Sequence, residues 1–276
     1  MSHPVLAQLA SSDPATRRAA CLAAASDPAA TLLTDALCTA LGDPVKAVSR
    51  AASDALVAIA HQHGDVDPGL RAALHGAEPA RRFSAAFTLA RISPPGMRLL
   101  PALVEALASP DGDVRWAAAR LLVDAGRVHG EVFPLLTGLV RSGESPIVRR
   151  MATFALRELA PERVEAADAL LEAATERDLH VRRAALTAMA SLASPPLRVA
   201  LQLLHALAND ADAACRRLAA LALGELGAAN PDRVPPETRA RLEAAGSAPD
   251  ADADLRRATE RALARLARLA AGGGAT

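Results

Sequence analysis

The stretch SPDGDVRWAAARLLVDAG, residues 109–126, decides the fold that this sequence predicts. It opens with a turn and two acids and continues with Val-Arg, after which apolar residues recur three and four positions apart. Val114, Ala118 and Leu122 share one stripe, which is typical of a helix that buries one face. Gly126 is predicted to end this helix, because glycine commonly follows the last helical turn.

Composition favours closely packed helices over a deep aromatic core. Of the 276 residues, 51% are hydrophobic but only 2% are aromatic, so alanine supplies much of the apolar surface and favours helix. Lys and Arg number 31, as do Asp and Glu. With no net charge, the chain has no general field to attract nucleic acid or an anionic membrane.

Compartment and membrane signals predict a cytoplasmic protein. The three cysteines, Cys21, Cys38 and Cys215, form no Cys-x-x-Cys pair, which argues against a disulfide framework or a cysteine-based zinc site. The first residues lack a basic segment followed by an apolar run, and no apolar stretch reaches the roughly 18 residues that span a bilayer.

An Arg-Arg-like step recurs along the whole chain. Its successive first members lie 32, 32, 34, 34, 33, 34 and 40 residues apart, which indicates eight repeated units. The eight steps are Arg17-Arg18, Ser49-Arg50, Arg81-Arg82, Arg115-Trp116, Arg149-Arg150, Arg182-Arg183, Arg216-Arg217 and Arg256-Arg257.

Each unit is predicted to contain two helices. Ser-Pro and Asp-Pro pairs mark the starts, because a short side-chain oxygen caps free amides and proline suits the first helical position. The predicted caps are Asp13, Asp27, Asp43, Asp67, Ser93, Ser145 and Ser194. The predicted glycine stops are Gly42, Gly64, Gly76, Gly126 and Gly227.

The segments DLHVRRAALTAMASL (178–192) and DAACRRLAALALGELG (212–227) resemble HEAT-like repeats of the phycobilisome-lyase type. Hairpins too thin to bury their own apolar stripes must stack on their neighbours. The expected fold class is therefore all-α, an α-solenoid of about eight HEAT-like helical hairpins in a right-handed superhelix. We expect a single domain over residues 1–271 and a flexible tail at 272–276.

The first residue of each step lies in the first turn of its helix, just after an acid, as Arg17 follows Asp13 and Arg182 follows Asp178. Because arginine suits bidentate pairing with carboxylates, we expect a structural ladder in which each arginine bridges acids of its own and an adjacent repeat.

The second residue of each step defines position zero of a possible binding surface. In the resemblance, the second helix of each pair lines the concave face, and positions 0, +4 and +8 share one side of it, with +3 flanking them. Small residues at +3 and +4 predict a trough between an arginine edge and a partly acidic edge. The candidate partner-binding residues are Arg82, Trp116, Arg120, Asp124, Arg150, Phe154, Glu158, Arg183, Thr187, Arg217, Leu221 and Glu225.

This surface predicts a non-enzymatic scaffold that binds a protein or peptide partner carrying acidic groups. Trp116 and Phe154 are its candidate anchors, since interface energy concentrates in aromatic residues and arginine. Either side chain could instead fill the core, and the arginines could instead pair with neighbouring acids on a merely solvated face. The sequence predicts no cofactor, no bound metal and no membrane contact, and it makes a nucleic-acid partner unlikely.

Three enzyme or ligand-binding readings are alternatives. The resemblance allows a lyase-like enzyme or subunit that handles a tetrapyrrole, with arginines holding propionates. Trp116 and Asp124 weakly resemble the aromatic residues and the acid that repeat-fold DNA glycosylases place around an extruded base. His61, His63, Asp65 and Asp67 alternate as metal ligands can, although Asp67 is already expected to cap a helix. No His-Glu pair is present, which separates the sequence from HEAT-like di-iron hydroxylases.

Overall fold

The computed structural model describes residues 3–64, 66–159 and 165–272, which fold into sixteen α-helices and short 3-10 turns. The helices are α1 Pro4–Leu9, α2 Pro14–Ala24, α3 Thr34–Ala40, α4 Lys46–His63, α5 Asp67–Leu74, α6 Pro79–Ile92, α7 Leu100–Ala106, α8 Gly112–Val128, α9 Val132–Ser142, α10 Pro146–Leu159, α11 Glu165–Ala173, α12 Leu179–Met189, α13 Leu197–Asn209, α14 Ala213–Ala229, α15 Thr238–Ser247 and α16 Ala253–Gly272.

The structure confirms the all-α solenoid of stacked hairpins, and no strand occurs in the described ranges. Helices pair in sequence order, and each even-numbered helix, called here a second helix, is the later member of its pair. Contacts divide the chain into two compact units, Met1–His129 and Gly130–Thr276. The single domain over residues 1–271 stays a prediction, and of the predicted tail only Gly272, the last residue of α16, is described.

The first unit is organised by its stacked second helices. Helix α2 packs on α4, α4 on α6 and α6 on α8, while α1, α3 and α5 form a layer behind them. The core between the layers is aliphatic. Leu37, Leu56, Leu70, Leu103 and Leu122 are all fully buried in it.

The second unit repeats this arrangement. Helices α10, α12, α14 and α16 contact one another in order, and α9, α11, α13 and α15 do the same in the other layer. Fully buried Leu136, Leu170 and Leu203 lie on the first helices and face Met151 and Leu223 on the second helices. Burying one stripe of every helix in this way supplies the hydrophobic stabilisation that a single hairpin lacks.

Of the predicted caps that precede a single proline, Asp13 and Ser145 are correct. The predictions at Asp27, Asp43 and Asp67 are wrong, because the N-cap positions that follow or adjoin them are held by Ala29, Val45 and Val66. Asp13 accepts hydrogen bonds from the amides of Ala15 and Thr16, and the Ser145 hydroxyl accepts one from Val148. Ser194 does not cap a helix, because two prolines follow it and the residue before a proline is held out of the helical region. Helix α13 accordingly begins at Leu197, after Pro196.

Two predicted glycine stops are wrong. Gly126 lies inside α8 and Gly227 inside α14, each two residues before the helix ends. Gly64 does end α4, with a φ of 85°. In α14 the glycines serve packing instead: a Cβ built on Gly224 would lie 2.6 Å from the Ala262 Cα of α16 and 2.8 Å from its Cβ.

The close approach of α14 and α16 gives a test of this packing. Gly224→Ala should lower the free energy of unfolding by about 1–3 kcal/mol, because the methyl group collides with backbone that must shift. Gly138→Ala is the matched control, since Gly138 is exposed in the interior of α9 and a Cβ there meets nothing within 4 Å. It should raise stability by up to about 1 kcal/mol through helix propensity. Urea denaturation of both variants distinguishes the effects, and equal stabilisation of both would contradict the close contact.

Candidate functional site

An arginine ladder runs along the starts of the second helices, except in α4, where Ser49 takes the arginine's place. Arg17, Arg115 and Arg182 lie four residues after the N-cap and turn back onto carbonyl oxygens five and six residues before them. Arg149 and Arg216 bind the carbonyl six residues before them. The Arg17 Nη1 donates to the carbonyls of Ser11 and Ser12 at 2.9 and 3.0 Å, and the Arg182 Nη1 donates to Glu176 and Arg177 at 2.9 and 3.0 Å. These bonds satisfy carbonyls at the turn between the two helices of a repeat.

Some of these arginines also pair with acids of the next repeat. Arg17 binds both Asp43 oxygens at 2.6 and 3.1 Å, and Arg182 binds both Asp210 oxygens at 3.0 and 3.1 Å. The Arg17 hydrogen bond lowers the pKa of Asp43 below its usual range. Arg115 keeps its carbonyl bonds at 2.6 and 3.0 Å, but its buried Nε has no hydrogen-bond partner among the described residues.

The predicted pairing with an acid of an adjacent repeat is correct for Arg17, Arg149 and Arg182 but not for Arg115 and Arg216, which make no ion pair with a described residue. The predicted pairing within a repeat is wrong. There, backbone carbonyls take the place of the expected acids. Asp13, Asp111, Asp178 and Asp212 act instead as N-caps that accept backbone amides of their own helices.

The alignment of repeat three is wrong by one residue, which moves Arg82 out of the predicted surface. The N-cap of α6 is Glu78, so Arg82 is the residue four positions on. Its Nη1 binds the carbonyls of Gly76 and Ala77, and its guanidinium pairs with Glu105. Arg82 therefore belongs to the ladder, and Phe83 occupies position zero of this repeat.

With this register, the exposure pattern repeats in every second helix from α6 to α14. The +3 residues Ala86, Ala119, Thr153, Leu186 and Ala220 are fully buried, so they pack between helices and do not line the predicted trough. The side chains at 0, +4 and +8 are exposed or half-buried. We call the surface formed by these three positions the second-helix face.

In the first unit, the predicted residues Trp116, Arg120 and Asp124 follow one another along α8. Trp116 is 48% exposed, which excludes it from the core. Arg120 is exposed and makes no ion pair with a described residue. Asp124 pairs with Arg127 on the same helix at 3.0 Å.

In the second unit, α10 carries the predicted residues Arg150, Phe154 and Glu158. Arg150 is half-buried and makes no ion pair with a described residue. Phe154 is half-buried one turn further on, in the same column as Thr187 of α12 and Leu221 of α14. Glu158 is exposed and lies 3.7 Å from Arg157.

The remaining predicted arginines of the second unit are paired. Arg183 binds both oxygens of the N-cap Asp212 at 2.9 and 2.6 Å, which lowers the pKa of that carboxyl. Arg217 binds Asp254 at 2.9 Å, and Arg257 binds the same carboxylate. Glu225, on the far edge, pairs with Arg265. Much of the predicted basic edge is therefore neutralised.

Thiol and metal chemistry find little support in the described part of the chain. Burial raises the pKa of Cys21 and Cys38 to about 11 and that of Cys215 to about 12, so no reactive thiolate forms at neutral pH. No group of three or more metal-binding side chains occurs among the described residues. The predicted cluster includes Asp65, which lies outside them.

A comparison with family models identifies the repeats. The model for HEAT repeats matches residues 66–157 and 132–199. The chain therefore contains HEAT-like repeats. A comparison with curated proteins gives no match. None of the described helices is both long and apolar enough to cross a membrane.

Solved structures resemble this HEAT-like repeat protein in fold. One chain comes from a structure in which Kap95p binding induces the switch loops of RanGDP to adopt the GTP-bound conformation. The alignment covers 96% of this chain and 39% of that chain, at 15% identity and a TM-score of 0.65. A designed armadillo repeat protein covers 72% of this chain and 99% of its own length, at 18% identity and a TM-score of 0.47. An engineered protein covers 95% and 77%, at 22% identity and a TM-score of 0.45.

The ladder makes a pH-dependent contribution to stability. Asp43→Asn should lower the free energy of unfolding by about 1–3 kcal/mol at pH 7, because Arg17 loses its charged partner. The pKa of Asp43 is lowered in the folded state, so this contribution is present above about pH 4 and is lost as the pH falls through the folded value. Urea denaturation at several pH values should show the two proteins converging in acid.

Glu172→Gln is the control for this measurement. Glu172 pairs with Arg141 at 3.1 Å, but both side chains are exposed. Its substitution should change stability by less than about 1 kcal/mol. A pH-independent difference between Asp43→Asn and the unsubstituted protein would contradict the ionic role of the ladder.

Proposed function

We propose that this HEAT-like repeat protein is a non-enzymatic scaffold that binds a protein or peptide partner on its second-helix face. The supporting observation is that Arg150, a cation without an ion pair to a described residue, lies one turn from the half-buried Phe154. Cations and aromatic rings presented together on a preformed surface are typical of interaction hot spots.

The chemistry of the second unit favours a partner with an apolar segment and one or two carboxylates. Phe154, Thr187 and Leu221 form a mainly apolar middle column across three contacting helices. Arg183 and Arg217 are neutralised by Asp212 and Asp254, so recognition of an acid depends chiefly on Arg150. Such a surface selects through shape and a single charge more than through a strong positive field.

The same charge balance argues against the other classes of partner. A nucleic acid requires many uncompensated cations, whereas these arginines already hold carboxylates. The assignment of the repeats to the phycobilisome-lyase type rests on the motif alone and stays a prediction. A tetrapyrrole would need Arg183 or Arg217 to release its acid before binding a propionate.

Affinity capture with the full chain as bait tests the scaffold. Arg150→Glu should reduce recovery of a specific partner from a lysate of the source cells by about tenfold or more, because it reverses the charge that faces the partner's acid. Arg241→Glu, an exposed position on the first helix α15, is the matched control and should leave recovery unchanged. Quantitative mass spectrometry compares the three baits.

Phe154→Ala tests the same surface independently and should also reduce recovery of the partner. A partner retained equally by all four baits would refute this assignment of the face. Retention of the unsubstituted protein on a DNA resin at physiological salt would favour the nucleic-acid class instead.

A further inference from the structure

Ion pairs join α4 to α8, two helices that both pack against α6. Lys46 in the first turn of α4 pairs with Asp111, the N-cap of α8, and lies 3.6 Å from Asp113. Arg50, one turn further along α4, also lies 3.6 Å from Asp113. These contacts therefore skip the intervening repeat, unlike the ladder pairs, which join neighbours.

The positions of these residues show on which side of α6 the contacts lie. Arg50 and Trp116 occupy position zero of their helices, and Lys46 and Asp113 lie one turn before them on the same stripe. Helices packed side by side are about 8–10 Å apart, so α4 and α8 would be almost twice that distance apart in a flat layer. Their first turns must therefore lean together over the second-helix face of α6.

This arrangement makes α6 the floor of a short groove that is closed at one end by the ion pairs. Phe83 and Phe87 lie along this floor at positions 0 and +4, with ring centroids 6.0 Å apart, and both are half-buried. Arg91 at +8 lies 5.8 Å from the Phe87 ring centre and is anchored by Asp54 at 2.8 Å. With the half-exposed Trp116 on α8, the groove contains three of the five aromatic residues in the chain.

The charges of the groove select its occupant. Lys46, Arg50 and Arg91 already contact carboxylates. Arg120, one turn beyond Trp116, is exposed and makes no ion pair with a described residue. An aromatic floor beside a single uncompensated cation matches an apolar side chain next to a carboxylate, and it lacks the row of free cations that a nucleic acid requires.

We propose that this groove in the first unit binds a peptide segment that carries large apolar side chains next to an aspartate or glutamate. The apolar side chains pack on Phe83, Phe87 and Trp116, and the carboxylate pairs with Arg120. The inference rests on the proposed scaffold function and adds a second site, in the first unit, for a segment of similar chemistry. The two sites can be tested separately, because Arg150 and Phe154 belong to the second unit.

Selection from phage-displayed random 12-residue peptides against the full chain tests the groove. Enriched peptides should contain a large apolar residue within three or four positions of an acid, since those spacings lie on one face of a helix. Binding of the synthesised peptides should change the emission of Trp116, the only tryptophan in the chain. Arg120→Glu and Phe87→Ala should each weaken binding by about tenfold or more.

Arg241→Glu is the control and should alter neither the peptide affinity nor the response of Trp116. Arg150→Glu shows whether a peptide binds the second unit instead. Phe87 is half-buried and its truncation could unfold the unit, whereas Arg120 is exposed and its variant keeps the test valid. The proposal is overturned if no peptide of this composition is enriched, or if enriched peptides bind the Arg120→Glu protein with unchanged affinity. Loss of binding on Arg150→Glu alone would also overturn it, by placing the peptide on the second unit.

Discussion

The architecture depends on an arginine placed four residues after the start of a second helix. Its guanidinium binds carbonyl oxygens at the turn inside its own repeat and a carboxylate of the next repeat, as Arg17 and Arg182 do. One planar side chain with five donors can make both kinds of contact, which a lysine cannot do with the same geometry. Such an arginine therefore ties the turn of its own repeat to the next repeat, and leucine packing between the layers adds the bulk of the stabilisation.

This constraint decides which positions remain available for binding. The ladder position is committed to carbonyls and acids, and the +3 position is buried between helices, as at Ala119 and Leu186. Position zero is partly committed, because Arg183 and Arg217 pair with acids at the start of the following second helix. The side chains at +4 and +8 differ from helix to helix and have no structural role in common.

The repeat spacing and the helix pairs could be predicted because periodic apolar stripes and capping chemistry are local. The slip at Arg82 has a local cause as well: the Arg-Arg pair at 81–82 imitates the repeated step, whereas counting four residues from the cap Glu78 places Arg82 in the ladder and Phe83 on the surface. The prediction of Gly126 and Gly227 as stops fails because glycine is common after the last turn of a helix but is not confined to it. The role of Gly227 in packing α14 on α16 depends on a residue far away in the sequence. The pairing of Lys46 with Asp111 could not be predicted, since it depends on how far two helices lean across a third.

The +4 position of the second helices carries a different side chain from one helix to the next. At +4 the successive side chains from α6 to α16 are Phe87, Arg120, Phe154, Thr187, Leu221 and Arg261, whereas the ladder position is arginine in each of these helices. A scaffold needs this division, because a surface can acquire a new partner only where a substitution leaves the helix caps and the repeat contacts intact. Phe87 and Phe154, the aromatic residues of the two proposed sites that lie at +4, belong to different units, so each unit can present its own side chains on one repeated framework.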